Sequence, residues 1–346
     1  MQSNTMRCAL IIAPNWIGDA LMAQPLFAVI KQLHPKIVLD AVASTWVAPV
    51  LARMPEIRKI YLTSLAHGKL QLWKRWQLAC DLRKAAYSMA YVLPNSLKSG
   101  LILKFSGIPL RIGYTGESRY ILLNVRHPNP LKSKRTSMVL YYAALAYAPG
   151  AKIPRDLPLP RLTTDWSESI RVSHRFNLNT DISLIVFCPG AEYGPAKRWP
   201  TQHFAALARM INHSFPYIQV IALGSLRDRT VAQAIAEDVP SIRNLCGKTS
   251  LDEACALITR ASVVVTNDSG LMHVAAALQR PIVALYGSTD PRYTPPLSKL
   301  AKVQWLHLKC SPCFARECPL HHFNCLRELS VEQVFNDLYS ILIANR

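Results

Sequence analysis

Short unbroken apolar runs alternate along this chain with longer stretches in which apolar positions recur every three or four residues. The runs are Cys8–Ala13, Val38–Val42, Met89–Leu93, Ser183–Cys188, Gln219–Leu223, Val263–Thr266 and Pro281–Tyr286. They are too short for helices and rich in β-branched residues, so they predict buried strands. Lys59–Leu62 and Arg111–Tyr114 read as further strands. The longer stretches in the first half are Ala20–Leu33, Trp46–Arg53, Leu70–Lys84 and Leu97–Phe105. Those in the second half are Thr164–Phe176, Thr201–Ser214, Arg229–Glu237, Leu251–Arg260, Leu271–Leu278 and Ser330–Asn345. Each predicts a helix; in the first of all, Leu21, Leu26, Val29, Ile30 and Leu33 form one face. Strands alternating with helices predict an α/β protein with parallel, doubly wound sheets.

Pro149, Pro154, Pro158 and Pro160 break both patterns, and the alternation restarts after them. Two domains follow, 1–165 and 166–346, with the final helix at 330–345 a candidate to pack back on the first. In open parallel sheets ligands bind outside the carboxyl ends of the strands. Two such domains facing one another would hold a ligand in the cleft between them.

Three turns would then carry the chemistry. Asn267-Asp268-Ser269-Gly270 links a strand to a helix through small polar residues. Asp268 or Ser269 is available as helix N-cap, and free amides at such a turn, with the helix dipole behind them, suit a phosphate. An ordinary capped turn reads the same way. Pro189 to Trp199 adds a cation, Lys197 or Arg198. Asn15 to Asp19 places a carboxylate, Asp19, at the start of the first helix, where it suits either a general base or a charge favourable to the dipole. His273, one turn into its helix, reads by default as a packed, hydrogen-bonded histidine. No G-x-G-x-x-G opens the first helix, and no G-x-x-x-x-G-K-[ST] is present, which argues against nicotinamide and P-loop chemistry. There is also no Asp-x-Asp, so a leaving diphosphate would be met by amides, a dipole and Lys or Arg.

Composition sharpens this picture at three points. Half of the 346 residues are apolar, ample for two cores, and no run reaches the roughly 18 residues needed to cross a bilayer. The polar start Met1–Arg7 and the short apolar run after it do not resemble a signal peptide, so a cytoplasmic protein is expected. The net charge of +19 is uneven: 22 Lys and Arg stand against 7 Asp and Glu in residues 1–165, and 18 against 14 in the rest. The basic first half implies an anionic partner: nucleic acid, a membrane surface or a phosphorylated substrate. No RNP, KH or finger pattern accompanies it, which argues against nucleic acid. Of nine cysteines, Cys8, Cys80, Cys188, Cys246 and Cys255 read as reduced core residues. Cys310, Cys313, Cys318 and Cys325 cluster with His321 and His322. That cluster is a candidate structural Zn²⁺ site, although its spacing matches no standard finger and a loop of reduced thiols is the competing reading.

Taken together, Ile17-Gly18-Asp19, Pro189-Gly190-Ala191, Lys197-Arg198-Trp199-Pro200 and Thr266 to His273 resemble the ADP-heptose:lipopolysaccharide heptosyltransferases of glycosyltransferase family 9. Trp16 to Asp19, Tyr91 to Ser96 and Thr294 to Ser298 extend the likeness over nearly the whole chain in the right order. The resemblance implies a GT-B fold of two Rossmann-like domains, the first binding acceptor and the second donor. It implies inverting transfer of L-glycero-D-manno-heptose from ADP-heptose to the first heptose of the lipopolysaccharide inner core, with no cofactor required. Asp19 would be the base. Lys197 would stabilise the diphosphate, Asp268 would contact the sugar, and Ser269, Gly270 and Leu271 would hold phosphate through their amides. His273 matches a histidine of the motif, and Asp228 is a ribose or adenine contact by position. Asn95, Lys98 and Arg119, with Lys132, Lys134 and Arg135, are candidates for the anionic heptosylated Kdo–lipid A acceptor. The same basic field implies peripheral association with the inner face of the inner membrane, worth about 1 kcal/mol per cation near anionic lipid. A heptosyltransferase I, a GT-B enzyme using a UDP- or GDP-sugar, and a non-catalytic sugar-nucleotide sensor remain the alternatives.

Overall fold

The computed structural model describes residues 8–65, 69–130 and 136–344. The polar start Met1–Arg7, the candidate cations Lys132, Lys134 and Arg135, and Asn345 of the expected last helix lie outside them. The chain divides into two compact units, Met1–Pro160 and Arg161–Arg346. The division falls inside the proline-rich segment 149–165.

The first unit runs β1 (Cys8–Ile12), α1 (Ile17–Leu33), β2 (Val38–Ser44), α2 (Ala48–Ala52), β3 (Ile57–Thr63) and α3 (Leu72–Arg83). It continues through β4 (Met89–Val92), α4 (Leu97–Phe105), β5 (Leu110–Tyr114), β6 (Val125–His127) and α5 (Met138–Ala143). Its six strands are all parallel, in the order β3-β2-β1-β4-β5-β6. β1 and β4 are wholly apolar and almost wholly buried, as parallel strands covered on both faces must be. Leu10, Ile12, Ala90 and Val92 on one face of this sheet pack with Leu82, Ile102 and Leu103 of α3 and α4.

The second unit begins with α6 (Trp166–Arg175), β7 (Leu184–Cys188), α7 (Thr201–Ser214), β8 (Gln219–Ala222), α8 (Arg229–Asp238) and β9 (Arg243–Asn244). α9 (Leu251–Thr259), β10 (Ala261–Asn267), α10 (Gly270–Ala277), β11 (Ile282–Tyr286), β12 (Ala301–Trp305), α11 (Asn324–Arg327) and α12 (Val331–Ala344) follow. Its sheet is also parallel, ordered β12-β11-β10-β7-β8-β9. Counted from its own first strand, this is the same winding as in the first unit. The strand order reverses between β1 and β4 in one unit and between β7 and β10 in the other, the places where such sheets bind ligands. Val334, Leu338, Ile341 and Leu342 of α12 belong to the second unit's core, with Phe187, Trp199 and Phe204. The apolar stripe of α12, three to four residues apart, is matched to this sheet. Among the described residues no helix is long and apolar enough to cross a membrane.

Candidate active site

In the first unit, β1 ends at Ile12 and the chain turns through Ala13–Trp16 into α1. No side chain caps α1, and Asp19 stands in its first turn, half-buried. The Tyr142 hydroxyl donates to Asp19 Oδ1 at 3.2 Å. Tyr142 comes from α5, which packs along α1. Beyond β4, Ser96 caps α4 by accepting from the Ser99 amide at 3.3 Å. The neighbouring Asn95 donates from Nδ2 to the Tyr141 hydroxyl at 2.6 Å and accepts at Oδ1 from Arg119 at 3.1 Å. Arg119 is 1% exposed. Its guanidinium also donates to the carbonyls of Pro94, at 2.9 Å, and Tyr114. Burial pulls its pKa below the ordinary arginine value. Arg119 therefore ties the ends of β4 and β5 together and orients Asn95, and it does not present a charge at the surface. Lys98 sits in the first turn of α4, partly exposed.

In the second unit the corresponding turns are denser and drier. β10 ends on Asn267, whose Nδ2 donates to the Pro189 carbonyl at 2.7 Å while its Oδ1 accepts from the Trp199 amide at 3.1 Å. One side chain thus clamps both ends of the loop that follows β7. That loop carries Lys197, whose ammonium donates to Asp268 Oδ2 at 2.6 Å, the two side chains being 12% and 4% exposed. The same oxygen accepts from Thr289 at 2.6 Å and Thr294 at 3.4 Å. A buried carboxylate is tolerated when it is paired and hydrogen-bonded in this way. The Lys197 ammonium also lies 5.0 Å from the centroid of the Tyr193 ring.

Asp268 leads into α10, with Ser269 at the N-cap position. Its side chain makes no cap bond, and its hydroxyl lies 3.4 Å from that of Thr266. Ser269, Gly270 and Leu271 are partly exposed at the mouth of otherwise buried surroundings. Their amides belong to the first turn, where helix N–H groups have no partner within the helix. His273 is buried one turn further in. Burial pushes its pKa down to about 4, Asp268 opposing the shift and Lys197 adding to it. It is a neutral imidazole at physiological pH, able to accept or donate a hydrogen bond but not to bring charge.

Asp228 lies at the end of a short turn before α8. Its Oδ2 accepts from the amide and hydroxyl of Ser225 at 2.9 and 2.7 Å. Its Oδ1 is 3.6 Å from Arg198 Nη2 and has no hydrogen-bond partner, although the residue is only 6% exposed. Gly190 approaches this carboxylate so closely that a Cβ there would sit 2.1 Å from Asp228 Cγ, so the Pro-Gly-Ala turn admits only glycine. Ser288, after β11, likewise holds a buried hydroxyl without a partner.

The structure brings Lys197, Asp268 and His273 together around the start of α10, with Ser269 to Leu271 at its mouth. It adds contacts from Asn267, which the sequence placed only in the polar turn, from Thr294, which it placed only in a stretch of family likeness, and from Thr289, to which it gave no role. Their signal is weak: Asn267 is the last residue of β10, and Thr289 and Thr294 are two threonines in the loop between β11 and β12. Among the described residues no group of three or more His, Cys, Asp or Glu side chains is placed to hold a metal, and all four cysteines of the 310–325 segment are free thiols. The segment braces the site by its backbone: Arg316 O accepts from the Ala196 amide at 3.0 Å, and the Phe314 amide donates to Ser288 O at 2.7 Å. It thereby holds the loops after β7 and β11 in register.

Residues 75–324 match the family model for glycosyltransferase family 9 (heptosyltransferase). The chain is 40% identical to lipopolysaccharide heptosyltransferase 2 of Salmonella typhimurium, an alignment covering 96% of this chain and 98% of that one. It is 45% identical to lipooligosaccharide heptosyltransferase 2 of Haemophilus influenzae over 85% of this chain and 87% of the relative. Among solved structures it superposes on the E. coli ADP-heptose lipopolysaccharide heptosyltransferase II with a TM-score of 0.87, at 38% identity, covering 98% and 99% of the two chains. The two Rossmann-like sheets, the turns at their switch points and these likenesses converge: the chain belongs to glycosyltransferase family 9, the heptosyltransferases.

Proposed function

We propose that this enzyme transfers L-glycero-D-manno-heptose from ADP-heptose to the first heptose of the lipopolysaccharide inner core, with inversion at the anomeric carbon. The observation that carries the reading is the lattice of Lys197, Asp268 and Thr289 at the start of α10, in a chain 40–45% identical to heptosyltransferase 2 enzymes. The amides of Ser269, Gly270 and Leu271 hold the diphosphate, and Lys197 offsets the charge that grows on it as ADP leaves. Asp268 contacts the heptose hydroxyls, and His273 serves the donor as a neutral hydrogen-bonding group. The Oδ1 of Asp228, which accepts no hydrogen bond here, suits a ribose hydroxyl.

On the acceptor side, Asp19 takes the proton of the attacking hydroxyl as its oxygen bonds the anomeric carbon. The bond from that carbon to the β-phosphate oxygen breaks, and ADP departs with the electron pair. Asn95 and Lys98 contact the anionic heptosylated Kdo–lipid A, with Arg119 holding Asn95 in place. Because that acceptor is anchored in lipid, the enzyme works as a peripheral protein at the inner face of the inner membrane.

A transfer assay tests the reading. Acceptors carrying no heptose or one heptose on a truncated lipid A core are offered with ADP-heptose, UDP-sugars or GDP-sugars. Turnover is expected only for ADP-heptose with the one-heptose acceptor, giving a product of inverted anomeric configuration. Preference for the acceptor without heptose, or for another nucleotide, would overturn it.

A further inference from the structure

The inner face of α3 is orthodox: Arg75, Ala79 and Leu82 are buried. The side turned to solvent at its start is not. Leu70, Leu72 and Trp73 are 45%, 49% and 71% exposed. Single exposed apolar residues are ordinary, but three within four positions, one of them tryptophan, form a patch of the kind that marks an interaction surface. Lys69 and Lys74 are exposed among them, and Lys84 and Lys104 are exposed further along α3 and on α4. The acidic residue of α3, Asp81, is paired with Lys84 at 3.1 Å.

Topology places this patch. In a parallel sheet a helix that follows a strand starts from the carboxyl edge. The first turns of α1, α3 and α4 therefore lie at the edge that carries Asp19 and Asn95. Arg75 staples two of them, donating to the carbonyls of Leu70 at 2.6 Å and Lys98 at 2.9 Å. Leu97, 37% exposed, extends the apolar surface onto α4. The nearby Glu117 carboxylate is occupied by the Leu97 amide at 2.8 Å.

Lysines interleaved with leucine and tryptophan on one short face are the composition of an element lying in the headgroup layer of a bilayer. There the indole is at home and the ammonium groups meet lipid phosphate. A protein partner would not require that excess of positive charge. We propose that the start of α3, with Leu97, is a docking edge for an anionic phospholipid bilayer: Leu70, Leu72 and Trp73 enter the interface while Lys69 and Lys74 contact phosphates. This rests on the reading that the acceptor is a membrane glycolipid, and it adds to it. A purely electrostatic attachment is released by salt, whereas apolar anchors leave a part that salt does not remove.

The test is flotation of the full chain with phosphatidylglycerol-containing and pure phosphatidylcholine vesicles, at low and high salt. The wild type is expected to float with anionic vesicles, weakly with neutral ones, and to keep part of its binding at high salt. Leu70→Ser/Trp73→Ala is expected to lose about tenfold in binding and all of the salt-resistant part. Lys69→Gln/Lys74→Gln should lose mainly the salt-sensitive part. Both pairs are surface residues, and unchanged thermal melts would show that the fold is intact. With a soluble, delipidated acceptor all variants should turn over like the wild type, while with acceptor in vesicles the apolar variant should show a raised KM. Wild-type flotation unaffected by Leu70→Ser/Trp73→Ala would overturn the docking edge while leaving heptosyl transfer standing. So would a Trp73→Ala effect seen only as dissociation of a dimer. A chain that floats as expected but transfers no heptose would leave the docking edge standing and overturn the proposed reaction.

Discussion

The two switch points share one strand order and differ in almost everything else. At the second, three side chains from two separate loops converge on one carboxylate oxygen: Lys197, Thr289 and Thr294 all address Asp268 Oδ2. At the first, the half-buried Asp19 meets the Tyr142 hydroxyl at 3.2 Å, and the tight lattice of Asn95, Arg119 and Tyr141 sits beside it. The contrast fits the two tasks proposed for these turns. Charge developing on a diphosphate is best met by dipoles and a cation already fixed in a dry setting, because reorganisation then costs little. A base must receive a proton and return it to water, which a half-open carboxylate can do.

The largest way to break the comparison is Asp19→Asn. If Asp19 is the proposed base, the rate of transfer should fall by about 10³-fold with donor KM and thermal melting little changed, since such a group acts in the transition state. Steady-state kinetics with a soluble acceptor would show it, and a wild-type rate would remove Asp19 from the base role. Lys197→Ala should instead hit both function and stability. It strips a buried carboxylate of its cation, at a cost of about 3 kcal/mol read from urea unfolding of the second unit, together with weaker donor binding. Lys197→Met with Asp268→Leu should recover most of that stability and none of the transfer.

His273 provides a smaller effect with a defined window. Its folded pKa of about 4 lies below the ordinary 6.5, so the unfolded chain binds the proton first. The stability it contributes is complete above pH 6.5 and is lost as pH falls toward 4. His273→Gln should flatten that part of a stability-versus-pH curve, and an unchanged slope would show that the imidazole titrates normally. Smallest is Tyr142→Phe, which removes one hydrogen bond, worth about 1 kcal/mol, from a carboxylate that keeps its place. A several-fold lower kcat with unaltered acceptor KM is expected. A loss as large as that of Asp19→Asn would mean that the hydroxyl takes part in the chemistry.

Much of this was legible before any coordinates. α4 and α7 occupy the residues their periodicity predicts, and most other elements differ from expectation by one to three residues at an end. The misses are instructive. Met138–Ala146 is apolar on every side, so it carries no polar face to betray a helical period, yet α5 supplies both Tyr141 and Tyr142. β9 is two residues long, and β12 is a half-exposed strand at the sheet edge, too weakly patterned to stand out. Arg119 reads in the sequence as a candidate contact for an anionic acceptor, because sequence reports charge and not burial. Its carbonyl partners become visible only when β4 and β5 lie side by side.

The line between the two sources of information follows the range of the interactions. Strand–turn–helix units are written in neighbouring residues: a β-branched run, a small polar turn, an amphipathic stretch. The phosphate-friendly turn at 267–271 and the carboxylate at the head of α1 were therefore readable locally. Pairings across large sequence separations were not. Lys197 with Asp268 spans 71 residues, Asn267 with Pro189 spans 78, and Tyr142 with Asp19 spans 123. Each depends on which strands lie adjacent and which helix covers them, and that is set by packing whole apolar faces against one another. Local pattern thus placed the candidate groups along the chain, and the shared winding of the two sheets determined which of them meet, which are buried and which remain open to a substrate.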